Sequence, residues 1–135
     1  MSTFTKINSF VEAVCEKKHD LGSDTLTVAL TSVAPVATND VLADLTEIAY
    51  TNLSTRVITT TSSAETTGTY KLVLTDLTLT ATGAVGPFRY IAIYNDTATN
   101  DELIGFYDYG SEITMANGES FKIDFSEANG VLQLA

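Results

Sequence analysis

One cysteine, one histidine, two prolines and seven basic residues are the scarce groups in this chain of 135 residues. Each scarcity excludes something. A single cysteine, Cys15, permits no intramolecular disulfide, so the chain is no disulfide-stapled secreted scaffold and suits a reducing place of synthesis. A single histidine, His19, leaves little room for imidazole acid–base chemistry. Against seven Lys and Arg stand 17 Asp and Glu, giving a net charge of −10. That is the wrong sign for neutralising a phosphate backbone, and no nucleic-acid partner is expected. Long apolar runs are missing: Thr, Asp, Asn or Gly interrupts every one well short of the roughly 18–20 residues that cross a bilayer. Residues 1–14 lack the charged start, apolar run and small-residue cleavage site of a secretory signal, and anionic lipid would repel an acidic chain, so no membrane association is expected. No Gly/Ser-rich or proline-rich linker divides the chain. What is present, 44% hydrophobic residues over a domain-sized length, suffices for one core, and residues 1–135 read as a single domain.

Residues 4–21 place Phe4, Ile7, Phe10, Val11, Val14, Cys15 and Leu21 at three- and four-residue spacing, which predicts an N-terminal amphipathic α-helix of about four turns, started by Thr3 or Ser9 and stopped at Gly22. The Ser9 and Glu12 spacing also fits a capping box, which would start the helix later and leave Phe4 and Ile7 on an extended arm. Beyond Gly22 the texture becomes threonine and β-branched residues, and the rest reads as strands. Leu26, Val28 and Leu30 alternate with Thr25, Thr27 and Thr31. Residues 32–52, with Pro35 and scattered small polar side chains, read as a long connection holding at most one short helical turn and free to reach toward a partner. Residues 56–61 are a strand candidate and 62–68 a turn. Tyr70, Leu72 and Leu74 share one parity and Leu77, Leu79 and Ala81 the other, so a bulge, a tight turn or a change of sheet is needed at Thr75-Asp76. Residues 88–94 and 103–109 are apolar or aromatic on both parities, as strands covered on both faces would be, with the helix as one cover and a neighbouring subunit or the other half of a sandwich as the second. Phe121, Ile123 and Phe125 alternate in a further strand and residues 131–134 form the last. With turn signals at Gly83, Gly86-Pro87, Asn117-Gly118 and Asn129-Gly130, the count is about eight strands, at a spacing typical of β-sandwiches and jelly rolls.

Chemistry-bearing patterns are few. Cys15 and His19 lie four apart, so a thiol and an imidazole could share a helical face, yet no third group or oxyanion-hole motif accompanies them and Cys15 sits on the apolar stripe. Asn95, Asp96, Thr97, Thr99, Asn100, Asp101 and Glu102 cluster hard oxygen donors of the kind calcium takes, without the EF-hand pattern; a polar hairpin explains them equally in kind. Tyr70, Tyr90, Tyr94, Phe106, Tyr107 and Tyr109 could build a sugar-stacking platform or belong to a core or subunit interface. No phosphate loop, zinc cluster or nucleophile elbow occurs, and nothing selects a pair among the acids. No catalytic, cofactor-binding or metal residue is assigned, and the chain is not expected to be an enzyme.

Three stretches carry a resemblance: Phe4-Thr5-Lys6-Ile7-Asn8-Ser9-Phe10-Val11-Glu12, Tyr94-Asn95-Asp96-Thr97-Ala98-Thr99-Asn100-Asp101-Glu102-Leu103-Ile104-Gly105, and Asp108-Tyr109-Gly110-Ser111. With Asn117-Gly118-Glu119 and Asn129-Gly130-Val131-Leu132, the chain resembles head-decoration, or capsid cement, proteins of tailed bacteriophages over nearly its whole length. The resemblance implies a mainly β protein, a jelly-roll-like β-sandwich forming a homotrimer. It would be made in the bacterial host cytoplasm, sit on the outer surface of the phage head, bind the major capsid protein and stabilise contacts between capsid subunits, without a cofactor. Tail or head-fibre β-sandwich components and a virion-surface carbohydrate-binding module are the alternatives.

Overall fold

The computed structural model describes residues 4–125 and 130–134. It is mainly β, with 50% strand and 7% helix. The described elements are β1 (Phe4–Lys6), α1 (Phe10–Cys15), β2 (Leu26–Thr31), β3 (Val57–Ile58), β4 (Thr60–Thr66), β5 (Thr69–Leu74), β6 (Leu77–Thr80), β7 (Val85–Asn95), β8 (Leu103–Met115), β9 (Ser120–Ile123) and β10 (Leu132–Leu134). These are ten strands rather than about eight. They form antiparallel sheets in the orders β1-β8-β7-β2-β3, β10-β5-β4 and β6-β9.

The N-terminal helix is much shorter than the periodicity predicts. Only Phe10–Cys15 is helical, and Phe4–Lys6 is instead a strand paired with Tyr107, Phe106 and Gly105 of β8. The backbone of an extended arm satisfies its hydrogen bonds on that open sheet edge, and this tertiary pairing outweighs a helical spacing that was shared by chance. Ser9 does stand at the helix start, without a side-chain cap bond, while Thr3 lies outside the described residues. The helix ends on Lys17 rather than Gly22. Lys17 has φ 67°, and the Lys17 and Lys18 N–H groups bond back to the Val14 and Ala13 carbonyls, the two-bond closure that usually employs glycine.

The six-residue ladder of β2 with β7, from Leu26 opposite Asn95 to Thr31 opposite Tyr90, is the centre of the molecule. Alternation puts Leu26, Val28, Leu30, Ile91 and Ile93 on one face and Thr27, Ala29, Thr31, Ala92 and Tyr94 on the other, and all ten are buried. The expectation of two covered faces therefore holds, but no neighbouring subunit is needed to cover them. The connection 32–52 lies against its own domain instead of reaching outward. The Asn8 N–H donates to Ala37, Leu42 to Asp101, Leu103 to Asp40 and Ile48 to Leu30, all at 2.9–3.0 Å. Leu42, Leu45, Ile48 and Tyr50 of this connection pack on the core, and its single helical turn is Leu42–Asp44.

The parity slip at Thr75-Asp76 is a change of sheet: β5 ladders with β4 and β10, and β6, two residues later, ladders with β9. Residues 62–66, read as a turn, are strand. The turn is the two-residue Thr67-Gly68, with φ 53° and 82°, the backbone a tight hairpin requires, and the Gly68 N–H donates to Glu65 at 2.6 Å. Gly86-Pro87, read as a turn, lies inside β7 at a register shift opposite β8. The last strand is Leu132–Leu134, and Asn129 lies outside the described residues.

Gly105 fixes how β1 closes the sheet. A side chain there would overlap the Phe4 ring and stand 2.7 Å from the Thr5 carbonyl oxygen, while Phe4 stacks 5.1 Å from Tyr107. Gly105→Ala is expected to lower stability by about 1–3 kcal/mol and to expose the β1 amides. Urea unfolding with amide exchange of Phe4–Lys6 checks this, and unchanged protection would remove Gly105 from that role.

Candidate functional site

Reversal of the chain at Lys17 separates the two side chains that helical spacing would have joined. Cys15 is exposed, whereas His19 is only 8% exposed and its ring lies 5.2 Å from Phe10. No thiol–imidazole pair forms.

His19 belongs to a polar cluster at the end of the β2–β7 ladder. Asn95, fully buried at the end of β7, accepts at Oδ1 from the Thr97 and Ala98 N–H groups at 3.0 and 3.1 Å. That fixes the orientation of its amide, so Nδ2 is the donor side. Nδ2 donates to Asp24 Oδ2 at 2.6 Å and to His19 Nδ1 at 2.9 Å. An imidazole that accepts at Nδ1 carries its proton on Nε2 when neutral, and Nε2 is buried without a partner among the described residues. Nearby, Thr25 N–H donates to Thr97 Oγ1 at 2.8 Å and Asp96 N–H to the Thr25 carbonyl at 2.9 Å, closing the turn.

Glu102 stands just before β8. Its backbone is fully used, its carbonyl accepting the Asn95 N–H at 2.9 Å while it bridges to Val41. Its carboxylate is not: the residue is 8% exposed and Oε2 is buried with no hydrogen-bond partner. Between α1 and the β7–β8 turn runs a groove of about 500 Å³ bordered by Lys17, Lys18, Asp20, Asp24, Asn100 and Glu102. It adjoins a second lobe of about 320 Å³ that reaches Ser9, Glu12 and Asp40 and shares Lys18, Asn100 and Glu102. Desolvation first, then the charges of Asp96, Glu102 and Glu47, raise Asp101 above the usual carboxylate range.

The oxygen cluster of residues 95–102 is organised as a turn. Asn95 Oδ1 and Thr97 Oγ1 are occupied by backbone N–H groups, and among the described residues no group of three or more His, Cys, Asp or Glu side chains is placed to hold a metal ion. The tyrosines do not assemble into a platform. Tyr94 and Tyr107 are buried on opposite faces of one sheet, Tyr70 bonds Ser63 in another, and Tyr109, 43% exposed, packs edge-on to Phe121. Reasoning from sequence missed Asn95 as a hub and Glu102 as an unpaired acid. The available signal was an amide and a carboxylate directly abutting the two apolar strands that the pattern marked as covered on both faces.

The chain matches no protein-family model, no curated protein and no solved structure. Its functional reading rests on its own residues.

Burial, the largest influence, holds His19 below its ordinary value near 6.5, opposed by the charges of Glu102 and Asp24 and assisted by Lys18. The unfolded chain then takes up a proton that the folded one resists, so stability falls as pH drops below about 6.5. Asp44, held low by the Asp40 and Val41 N–H groups, and Asp108, held low by Arg89, lose their contributions only in the acidic carboxylate range, and the raised Asp101 acts in the opposite sense there. Urea midpoints from pH 7.5 to 5.5 are expected to decline in the natural protein. In His19→Gln they are expected to be flat, with a loss of about 1–3 kcal/mol at neutral pH. A flat natural profile would contradict a neutral buried His19.

Proposed function

We propose that the chain is a non-enzymatic structural protein of a tailed-bacteriophage particle, a decoration or cement protein on the outer surface of the head. In this reading it is a jelly-roll-like β-sandwich that acts as a homotrimer, binds neighbouring copies of the major capsid protein and resists their separation. The three stretches of resemblance support it, and the mainly antiparallel architecture is compatible with it.

The observation that carries an adhesive role is the edge strand β4. It lies at the margin of its sheet, so its outer backbone groups are left without a ladder partner, and five of its seven residues are exposed. Edge strands are ordinarily blunted with lysine or proline; β4 has neither, and only Glu65 is charged. Such an edge suits strand addition by a neighbouring polypeptide, which gains main-chain hydrogen bonds along its length. Many copies on a symmetric shell then multiply a modest contact, because linked sites bind at high effective concentration. The net charge of −10 raises no objection at a surface facing away from packaged DNA.

Light scattering is expected to give three times the 14.4 kDa chain mass, and the protein is expected to co-sediment with purified expanded heads. Ala64→Lys, which places a charge on the exposed face of β4, is expected to yield a folded monomer that no longer co-sediments. A natural protein that is monomeric at micromolar concentration and fails to bind heads would overturn the proposal, and a density map of the particle would separate head from tail or fibre locations.

A further inference from the structure

We infer that the groove between α1 and the β7–β8 turn binds an organic cation bearing N–H donors, a primary ammonium or a guanidinium group, with the Glu102 carboxylate as its acceptor. This goes beyond the adhesive reading and does not depend on it.

A buried carboxylate without a donor is costly, since it has lost water and gained nothing, and such groups in native proteins call for an explanation. Glu102 has that status although Lys18 lines both lobes beside it: among the described residues the ion pairs are Arg89 with Asp108 and Lys122 with Asp76, and Lys18 makes none. The chain thus keeps a neighbouring cation out of contact and leaves the acceptor open. His19 supplies a second observation. Its Nε2–H is likewise buried and unpartnered, and Glu102 is the largest of the charges acting on its ring, so the two groups lie close without a bond.

The surroundings specify the occupant. Glu12, Asp20, Asp24, Asp40 and Glu102 outnumber Lys17 and Lys18 around the two lobes, which disfavours an anion. The carboxylates do not converge, so a hard metal ion would lack its six or more oxygens. An N–H cation needs less: one carboxylate for its charge, with oxygens such as those of Thr99 and Asn100 for remaining donors. No aromatic ring lines either lobe, and Ala13, Ala98 and Val41 are the apolar walls, which suits a slender alkyl stem rather than a flat heterocycle. A free polyamine and a lysine or arginine side chain share this chemistry.

His19 is the only histidine, so its ring resonances in NMR report on the Glu102 environment without assignment ambiguity. Titration with ethylammonium chloride is expected to shift them saturably in the millimolar range appropriate to one charge-assisted contact. Tetramethylammonium chloride at equal ionic strength, having charge but no N–H, is expected not to. Glu102→Gln is expected to weaken binding about tenfold or more while raising the melting temperature of the free protein, because an unpaired buried charge is removed. Lys18→Met, a surface change that leaves the fold intact, is expected to tighten binding about threefold to fivefold by removing a competing cation. Spermidine binding more tightly than Nα-acetyl-lysine methylamide assigns the site to free polyamines, and the reverse order assigns it to a side chain. The proposal fails if ethylammonium produces no saturable shift, if tetramethylammonium matches it, if Glu102→Gln binds unchanged, or if Glu102→Gln lowers the melting temperature.

Discussion

A strand pair buried on both faces must be covered twice, and the rest of this molecule follows from that requirement. The β2–β7 ladder buries apolar residues on one side and threonine, alanine and tyrosine on the other. Two layers of core have to come from 135 residues. The first face takes the larger side chains, among them Leu72, Leu74, Leu79 and Phe125 in the same continuous core. Closing the second explains why residues 32–52, nearly devoid of regular structure, are nonetheless tied down at several separate backbone positions. A long connection ordinarily runs loose over the surface; this one exchanges its freedom for burial of Leu42, Leu45, Ile48 and Tyr50.

The same ladder has an end, and ends of buried strands expose polar backbone that something must satisfy. Asn95 does so here. Its oxygen closes the following turn while its nitrogen ties Asp24 and His19 to the sheet. Because both amide hydrogens are committed, the histidine must present Nε2–H elsewhere, and because Glu102 follows the turn, its carboxylate comes to lie beside that histidine. The unpaired acid is thus a consequence of where the sheet stops, not of an isolated choice at position 102.

The central strands were legible because their signal was hydrophobic and continuous: residues 88–94 and 103–109 could hardly be placed anywhere but the middle of a sheet. The parity change at Thr75-Asp76 was legible as well, since side-chain alternation is rigid and a slip demands a structural event. Strand β4 was not, because it is exposed on both sides and its Thr, Ser and Ala residues show no alternation to read. The opening helix was misjudged for a different reason. Phe4, Ile7 and Phe10 satisfy a helical spacing, but Phe4 is placed by pairing with a strand about a hundred residues later, information that no local window contains. The polar cluster was hidden for that reason too: His19, Asp24, Asn95 and Glu102 come from three separate segments.

Charge ties these levels together. The chain has only two arginines, and the fold uses both internally. Arg56 lies 3.6 Å from the centroid of the Tyr50 ring and donates to the Val28 carbonyl at 2.6 Å, joining the long connection to β2. Arg89 makes a two-point contact with Asp108 at 2.8 and 3.0 Å across β7 and β8. With its fork-shaped cations committed to holding segments together, the surface that remains is more acidic than the composition alone implies. Any partner that docks there must bring neutral backbone or positive charge. An unblunted strand edge accepts the first and a groove with an unpaired carboxylate accepts the second, so the two surfaces of this molecule that lack partners ask for complementary kinds of chemistry.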